Sequence, residues 1–298
     1  MVDGSEPTKA ERRAAAREAA RLIREAEKRR VRRMRILAIV ASSLAVIVVL
    51  GAVAFVVLQS RRTGAQYANV AYGGADVAAS APAPGAVTAP VANATSGILV
   101  NNLGLGVDRS SDVHVDLYFD FQCPYCQKFE AANGQALANL IAGGGVTLVY
   151  HPLAFLDRYS ANTLYSTRAA NAAAVVAQGA SDRFLPFVAA LFSHQPEENT
   201  PGLSDAEIAQ IAADAGVPQE VASSFTNTVT GTYVDGKGNQ HQGTWRTFAP
   251  WVFMLTQKAE SDFGNQFGTP TVLVNGQRFT GDLYSDGPLE AAIVAAKG

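Results

Sequence analysis

Val113-His114-Val115-Asp116-Leu117-Tyr118-Phe119-Asp120-Phe121 runs directly into Gln122-Cys123-Pro124-Tyr125-Cys126. The first nine residues are a β-type run, rich in β-branched and aromatic side chains. Residues Cys126–Ile141 read as a helix, with Phe129, Leu137, Leu140 and Ile141 near one face. A strand therefore delivers one thiol to the start of a helix. There the unpaired backbone N–H groups and the helix dipole favour a thiolate. The second thiol, one turn on, is close enough to close a disulfide with the first. Such a bridge encloses almost no loop and gains little loop-closure entropy, so the pair reads as a redox switch rather than a staple. These are the only two cysteines in the 298 residues.

Downstream, Val146 to Tyr150 reads as a second strand after Gly143-Gly144-Gly145. Residues 161–178, 182–194, 204–215, 218–226 and 248–262 have a helical pattern punctuated by Gly179, Pro196, Pro201 and Gly216. Asn199 to Ser204 and Gly231 to Gly243 read as loops. Thr271–Val274 is a third strand, Asn275-Gly276 a hairpin turn, Arg278–Gly281 a fourth strand and Pro288–Ala296 a closing helix. Trp245, Trp251 and Phe253 are expected in the core or at a domain interface.

Upstream, Ile36–Leu58 is 23 residues without a formal charge. As a helix it is about 35 Å long, enough for a bilayer core of about 30 Å with some tilt. The run is longer than the apolar region of a cleaved signal peptide, and its small-x-small triplet Ala52-Val53-Ala54 lies inside it. An uncleaved anchor is expected. Residues 1–35 carry twelve basic and six acidic side chains, whereas residues 63–298 carry ten basic and twenty acidic. The basic tail abuts the apolar run, so it reads as an orientation signal and not as a nucleic-acid surface. Arg29, Arg30, Arg32, Arg33 and Arg35 precede the span, against Arg61 and Arg62 after it. The N-terminus is therefore expected in the cytoplasm and residues 59–298 outside, where disulfides form and persist. Residues 59–96 are expected to be a flexible linker, because Ala79-Ser80-Ala81-Pro82-Ala83-Pro84-Gly85, with Pro90 further on, lacks aromatic residues and any 3.6 or 2 period. The organisation expected is a basic tail (1–35), a transmembrane helix (36–58), a linker (59–96) and a catalytic domain (97–298).

Phe119-Asp120-Phe121-Gln122-Cys123-Pro124-Tyr125-Cys126 resembles the active-site segment of DsbA-like thiol–disulfide oxidoreductases of the thioredoxin superfamily. Gly268-Thr269-Pro270-Thr271-Val272-Leu273-Val274-Asn275-Gly276 looks like that family's second signature, a cis-proline followed by a strand and a turn. The resemblance covers residues 112–298. It implies an α/β thioredoxin-like fold with an inserted helical domain at about 160–262. It also implies Cys123 as the exposed nucleophile and Cys126 as the resolving thiol. Pro270 is implied to face them and to present the Thr269 backbone to an extended substrate. Pro124 suits the first helical turn, where an N–H is dispensable. Tyr125 stands where strong oxidants of the family often carry histidine, and Leu117 stands where many thioredoxin-like proteins place a buried acid, flanked by Asp116 and Asp120.

The function implied is extracytoplasmic oxidation of cysteine pairs in secreted proteins, with no cofactor and with a membrane redox partner that resets the dithiol. The alternatives are a disulfide reductase or isomerase, and a non-catalytic binding module of the same fold. A zinc site is not expected: zinc takes four N/S ligands, a second cysteine pair is absent, and His114, His151, His194 and His241 are scattered.

Overall fold

Alternate residues of β3 (Val113–Phe119) are buried, and every residue of β4 (Val146–Pro152) is. Strands covered on both faces belong in the middle of a sheet, and these two are the central pair. They run parallel, with Leu117 opposite Tyr150. In the computed structural model, which describes residues 9–74, 79–82, 87–91 and 97–298, the sheet has six strands. Antiparallel to β3 lies β7 (Thr271–Val274), which pairs in turn with β8 (Gln277–Arg278). On the other side β4 pairs with β1 (Ile98–Asn101), and β1 with β2 (Gly104–Leu105). Strands β1 and β2 are additions to the sequence reading; β1 is wholly buried and fills the sheet beside β4.

Helix α2 (Pro124–Ala142), which carries the Cys-Pro-Tyr-Cys segment at its start, buries Cys126, Phe129, Asn133, Leu137 and Ile141, a single helical stripe. It packs against the sheet together with α8 (Pro288–Ala296), which contributes Leu289 and Ile293. The turn between β7 and β8 has positive φ at both Asn275 and Gly276 (49° and 75°), as a two-residue hairpin requires. Asn275 also receives the His114 N–H on its side-chain oxygen, which ties that turn to the head of β3.

Between β4 and β7 the chain makes the helical insertion. Its axis is α3 (Tyr165–Gly179), buried from Tyr165 through Ala177 and wrapped by α4 (Phe184–Ser193), α5 (Asp205–Asp214), α6 (Gln219–Ala222) and α7 (Ala249–Phe263). Ser204 and Glu207 form a reciprocal capping box on α5. Residues 231–243, expected as a loop, instead belong to a hairpin of β5 (Thr228–Val234) and β6 (Gln240–Arg246). The two glycines that suggest loop punctuation have another purpose. A Cβ on Gly231 or Gly243 would come within 3.2 or 2.8 Å of the Trp245 ring, so their bareness lets the indole lie across the ladder.

The N-terminal helix α1 spans Lys9–Gln66 and contains the whole of the apolar run. Leu37, Ile47, Val48 and Phe55 are more than 60% exposed, so the apolar surface of this helix is presented all round. It is the one described helix long and apolar enough to cross a membrane. The described residues from 60 to 298 form one compact unit, which corrects the expected linker where it is described. Tyr67, Val70 and Tyr72 are buried, and Val70 O accepts from the Arg246 N–H. Tyr72 fills an aromatic box: its ring centroid lies 4.8 Å from Trp245, 5.5 Å from Phe253 and 6.1 Å from Tyr233. Further on, the Ser80 N–H bonds to Val234 O. The low-complexity composition of this segment hides three aromatic or aliphatic anchors. Residues 75–78, 83–86 and 92–96 of the expected linker, and 1–8 of the expected tail, lie outside the described residues.

If Tyr72 anchors this segment, Tyr72→Ala loosens it without unfolding the domain. Thermolysin cleavage within residues 67–82 is expected to accelerate about tenfold or more, the scale of one lost aromatic anchor, with little change in the global unfolding midpoint. An unchanged cleavage rate would show that the box does not hold the segment.

Candidate redox site

The end of β3 and the start of α2 set the dithiol. Cys123 is the N-cap residue of α2, with extended φ and ψ of −78° and 116°, and Pro124 occupies the first turn. Cys123 O accepts from the N–H groups of Cys126 and Gln127, so the helix begins at the motif itself. Both cysteines are free thiols. Both are also buried, Cys123 at 5% exposure and Cys126 at 1%. The expectation of an exposed Cys123 is thereby corrected. Its Sγ is covered by the Thr269 carbonyl, to which the thiol donates at 3.3 Å, while Pro124 and Tyr125 are the members of the motif that face solvent.

Thr269 and Pro270 come from the loop before β7, 146 residues on from Cys123, and the peptide bond between them is cis. Pro270 lines a small cavity with Cys126, Leu117, Phe129, Glu130, Tyr150 and Phe192. The structure thus brings Cys123, Cys126, Thr269 and Pro270 into one place. Leu117 sits in the wall of this cavity as an apolar residue.

The turn carrying Cys123 is held from the helical insertion. The Gln195 side-chain amide donates to Phe121 O and Cys123 O, both at 2.9 Å. Gln122 reaches Tyr159 O. Asp120 is fully buried and accepts three bonds, from Gln122 N, Leu156 N and Ser166 Oγ, at 2.7–2.8 Å. Burial raises its carboxyl pKa to about 7 against these bonds.

The two sulfurs are driven apart in acidity. Cys123 is lowered to about 6, chiefly by its hydrogen bond from Cys126; a hydrogen bond from the Thr269 side chain and the backbone N–H groups of Cys126 and Tyr125 add to this against the cost of burial. Cys126 is raised well above the ordinary thiol range by burial first, then by donating to Cys123 and by the Cys123 and Asp120 charges. At pH 7 a thiol of pKa about 6 is roughly nine-tenths thiolate, against ~3% for an unperturbed cysteine. A stabilised thiolate is both a better-populated nucleophile and a better leaving group.

Sequence reading missed Glu130. It lies one helical turn after Cys126 and lines the same cavity; burial raises its carboxyl to about 7. The i,i+4 spacing from Cys126 is the available signal. The four histidines have separate surroundings: His151 bonds Asp116 at 2.8 Å, His241 bonds Asp235 at 2.9 Å, His114 meets Arg109 O and His194 meets Ala190 O. Among the described residues no group of three or more His, Cys, Asp or Glu is placed to hold a metal ion.

A family model described as Thioredoxin matches residues 105–293, which include both cysteines and the Thr269–Pro270 bond. The chain belongs to the thioredoxin family. Within it, the backbone is similar to that of MdbA, a thiol-disulfide oxidoreductase from Corynebacterium diphtheriae. That likeness has 23% identity and a TM-score of 0.51, over 71% of this chain and 94% of that one. The MdbA protein of Actinomyces oris gives 20% identity and a TM-score of 0.50, over 73% and 97%. These likenesses show a thioredoxin-like fold and nothing finer. Among curated proteins, the serine/threonine-protein kinase PknE of Mycobacterium tuberculosis is 30% identical over 142 residues, which is 41% of this chain. The match spans only a quarter of the length of that relative.

For this thioredoxin-family site, alkylation of the reduced chain at Cys123 is expected to rise with a midpoint near pH 6. Cys126→Ala should move the midpoint upward, because the Cys126 thiol is the largest cause of the depression. A midpoint left in place would remove Cys126 as that cause. Stability is linked to the same titration. A lowered folded-state pKa stabilises the reduced fold in full above the ordinary thiol value, and the contribution is lost as the pH falls through about 6.

Proposed function

We propose that this chain is a membrane-anchored thiol–disulfide oxidoreductase that oxidises cysteine pairs in proteins outside the cytoplasm. The observation that carries the reading is the opposed acidity of the two thiols, Cys123 lowered and Cys126 raised, beside the Thr269–Pro270 bond. In the oxidised enzyme a substrate thiolate attacks Cys123 Sγ. The Cys123–Cys126 bond breaks, its electron pair goes to Cys126, and a mixed disulfide joins substrate to Cys123. The Cys126 sulfur takes up a proton, for which the carboxyl of Glu130, in the same cavity and raised to about 7, is the nearby donor. The second substrate thiolate then attacks the substrate sulfur of the mixed disulfide, and Cys123 leaves as a thiolate. Two electrons have passed from substrate to enzyme, and a membrane redox partner removes them. Thr269 is the backbone against which an extended substrate lies, and Pro270 closes the cavity over Cys126. Pro124 and Tyr125 tune the motif, Pro124 through its fit to the first helical turn and Tyr125 through its backbone N–H on Cys123.

The anchor is residues 36–58, inside the exposed apolar helix. The arginine excess before it supports a cytoplasmic N-terminus, which leaves residues 59–298 outside.

In cells, Cys126→Ser is expected to accumulate mixed disulfides with secreted proteins on non-reducing gels, and Cys123→Ser none. Equal trapping by both would end the assignment of the nucleophile. Protease added to spheroplasts should remove the domain and leave a small membrane fragment; protection of the domain would reverse the topology. Direction is read from the reduction potential of the full chain, where an oxidase lies nearer about −120 mV and a reductase nearer about −270 mV.

Glu130→Gln is expected to slow opening of the enzyme disulfide at pH 7 by about a hundredfold, the low end of general acid–base effects. Its signature is loss of the pH dependence near 7 with the Cys123 midpoint unmoved. A uniform slowing at every pH would make Glu130 a packing residue.

A further inference from the structure

Tyr125 and Tyr284 are 54% and 46% exposed, and their ring centroids lie 5.8 Å apart at 48°. Among the ring pairs of the described residues, this is the one whose two members are both exposed. It sits beside the nucleophile. Tyr125 is two residues from Cys123, and the charges of Cys123 and Cys126 reach the Tyr284 phenol, raising its pKa after the effect of burial.

Tyr284 does not arrive there on a loose loop. The Asp282 carboxylate accepts from the Tyr284 N–H at 2.8 Å and from Ser285 Oγ at 2.6 Å. Asn133, buried on α2, donates to Leu283 O at 2.9 Å while also bonding Phe129 O. The residues flanking Tyr284 are therefore fastened, one by a local turn and one to the helix that carries the dithiol. The Lys128 ammonium lies over the Tyr125 ring, 5.1 Å from its centre. Exposing two aromatic rings to water costs hydrophobic free energy, and fixing them in advance lowers the entropy lost when something covers them.

We propose that Tyr125 and Tyr284 form a specificity subsite that receives an apolar or aromatic side chain adjacent to the reactive cysteine of an extended polypeptide substrate. The pair lies next to Cys123, whose charge reaches Tyr284, and its occupant is the substrate segment already joined to Cys123 in the mixed disulfide. The inference rests on the exchange reaction proposed above. Sequence separation conceals it: Tyr284 is 159 residues from Tyr125 and belongs to no motif.

The test compares three reductants of the oxidised full-length chain in detergent micelles: dithiothreitol, a two-cysteine peptide with Phe beside its first cysteine, and the same peptide with Ser there. The wild type is expected to react faster with the Phe peptide than with the Ser peptide. Tyr284→Ala should lower that preference by about fivefold, the scale of one aromatic contact, and Tyr284→Phe should retain it. A common fall in all three rates would make Tyr284 a structural residue and overturn the subsite. An unchanged preference in Tyr284→Ala would overturn it as well. A wild-type chain that oxidises none of the three would sink the exchange reaction itself, and the subsite with it.

Discussion

The carboxyl group of Asp120 has no contact with solvent, and three donors from three parts of the chain converge on it. Gln122 N belongs to the active-site turn, Leu156 N to the segment after β4, and Ser166 Oγ to the first turn of α3. The thioredoxin layer and the helical insertion are therefore joined by one acceptor placed three residues before Cys123. A buried acceptor of this kind is tolerated only while its partners stay in position. Gln195 and Gln122 repeat the arrangement with carbonyls of the same turn and of Tyr159. The motif is held on both sides by hydrogen bonds that the insertion supplies, which gives the insertion a structural reason to interrupt the sheet.

On that fixed turn the chemistry depends on a difference in environment between two identical side chains. Cys123 receives donors from the helix start and from Cys126, whereas Cys126 lies deeper, in an apolar cavity walled by Leu117, Phe129, Tyr150 and Phe192. Each sulfur enforces the state of the other. A thiolate at Cys123 accepts the Cys126 proton and holds it there. The raised carboxyls of Asp120 and Glu130 mark the low polarity of the same region from two directions. Both need the protein around them to stay closed.

Much of this is legible in the sequence. The β3–α2 passage, the Thr269–Pro270 segment, the Asn275-Gly276 turn and helix Pro288–Ala296 all carry local signals: periodicity, a turn dipeptide, a proline at a helix start. The hairpin β5–β6 escapes because Gly231 and Gly243 imitate loop residues, although they are there to accommodate Trp245. The segment after residue 66 imitates a linker because Tyr67, Val70 and Tyr72 acquire meaning only opposite Arg168, Arg246 and Trp245. Glu130 is within reach of an i,i+4 argument. Tyr284, Gln195 and Asn133 are not, since each acts through a partner at least 72 residues distant in sequence.

The depth of Cys126 has a kinetic corollary. In the exchange reaction proposed above, a substrate joined to Cys123 leaves two thiols to compete for the mixed disulfide: Cys126, which returns the substrate reduced, and the second cysteine of the substrate, which releases it oxidised. In the mixed disulfide the Cys123 charge is gone, but burial, the largest cause of the raised pKa, still favours a protonated Cys126, whose proton must first find another site. The intermediate therefore waits, and the waiting time is given to the polypeptide, whose chain must diffuse until its own partner cysteine arrives. In the proposed reaction, burial of one sulfur therefore gives an unfolded segment time to close on itself, an event of microseconds and slower.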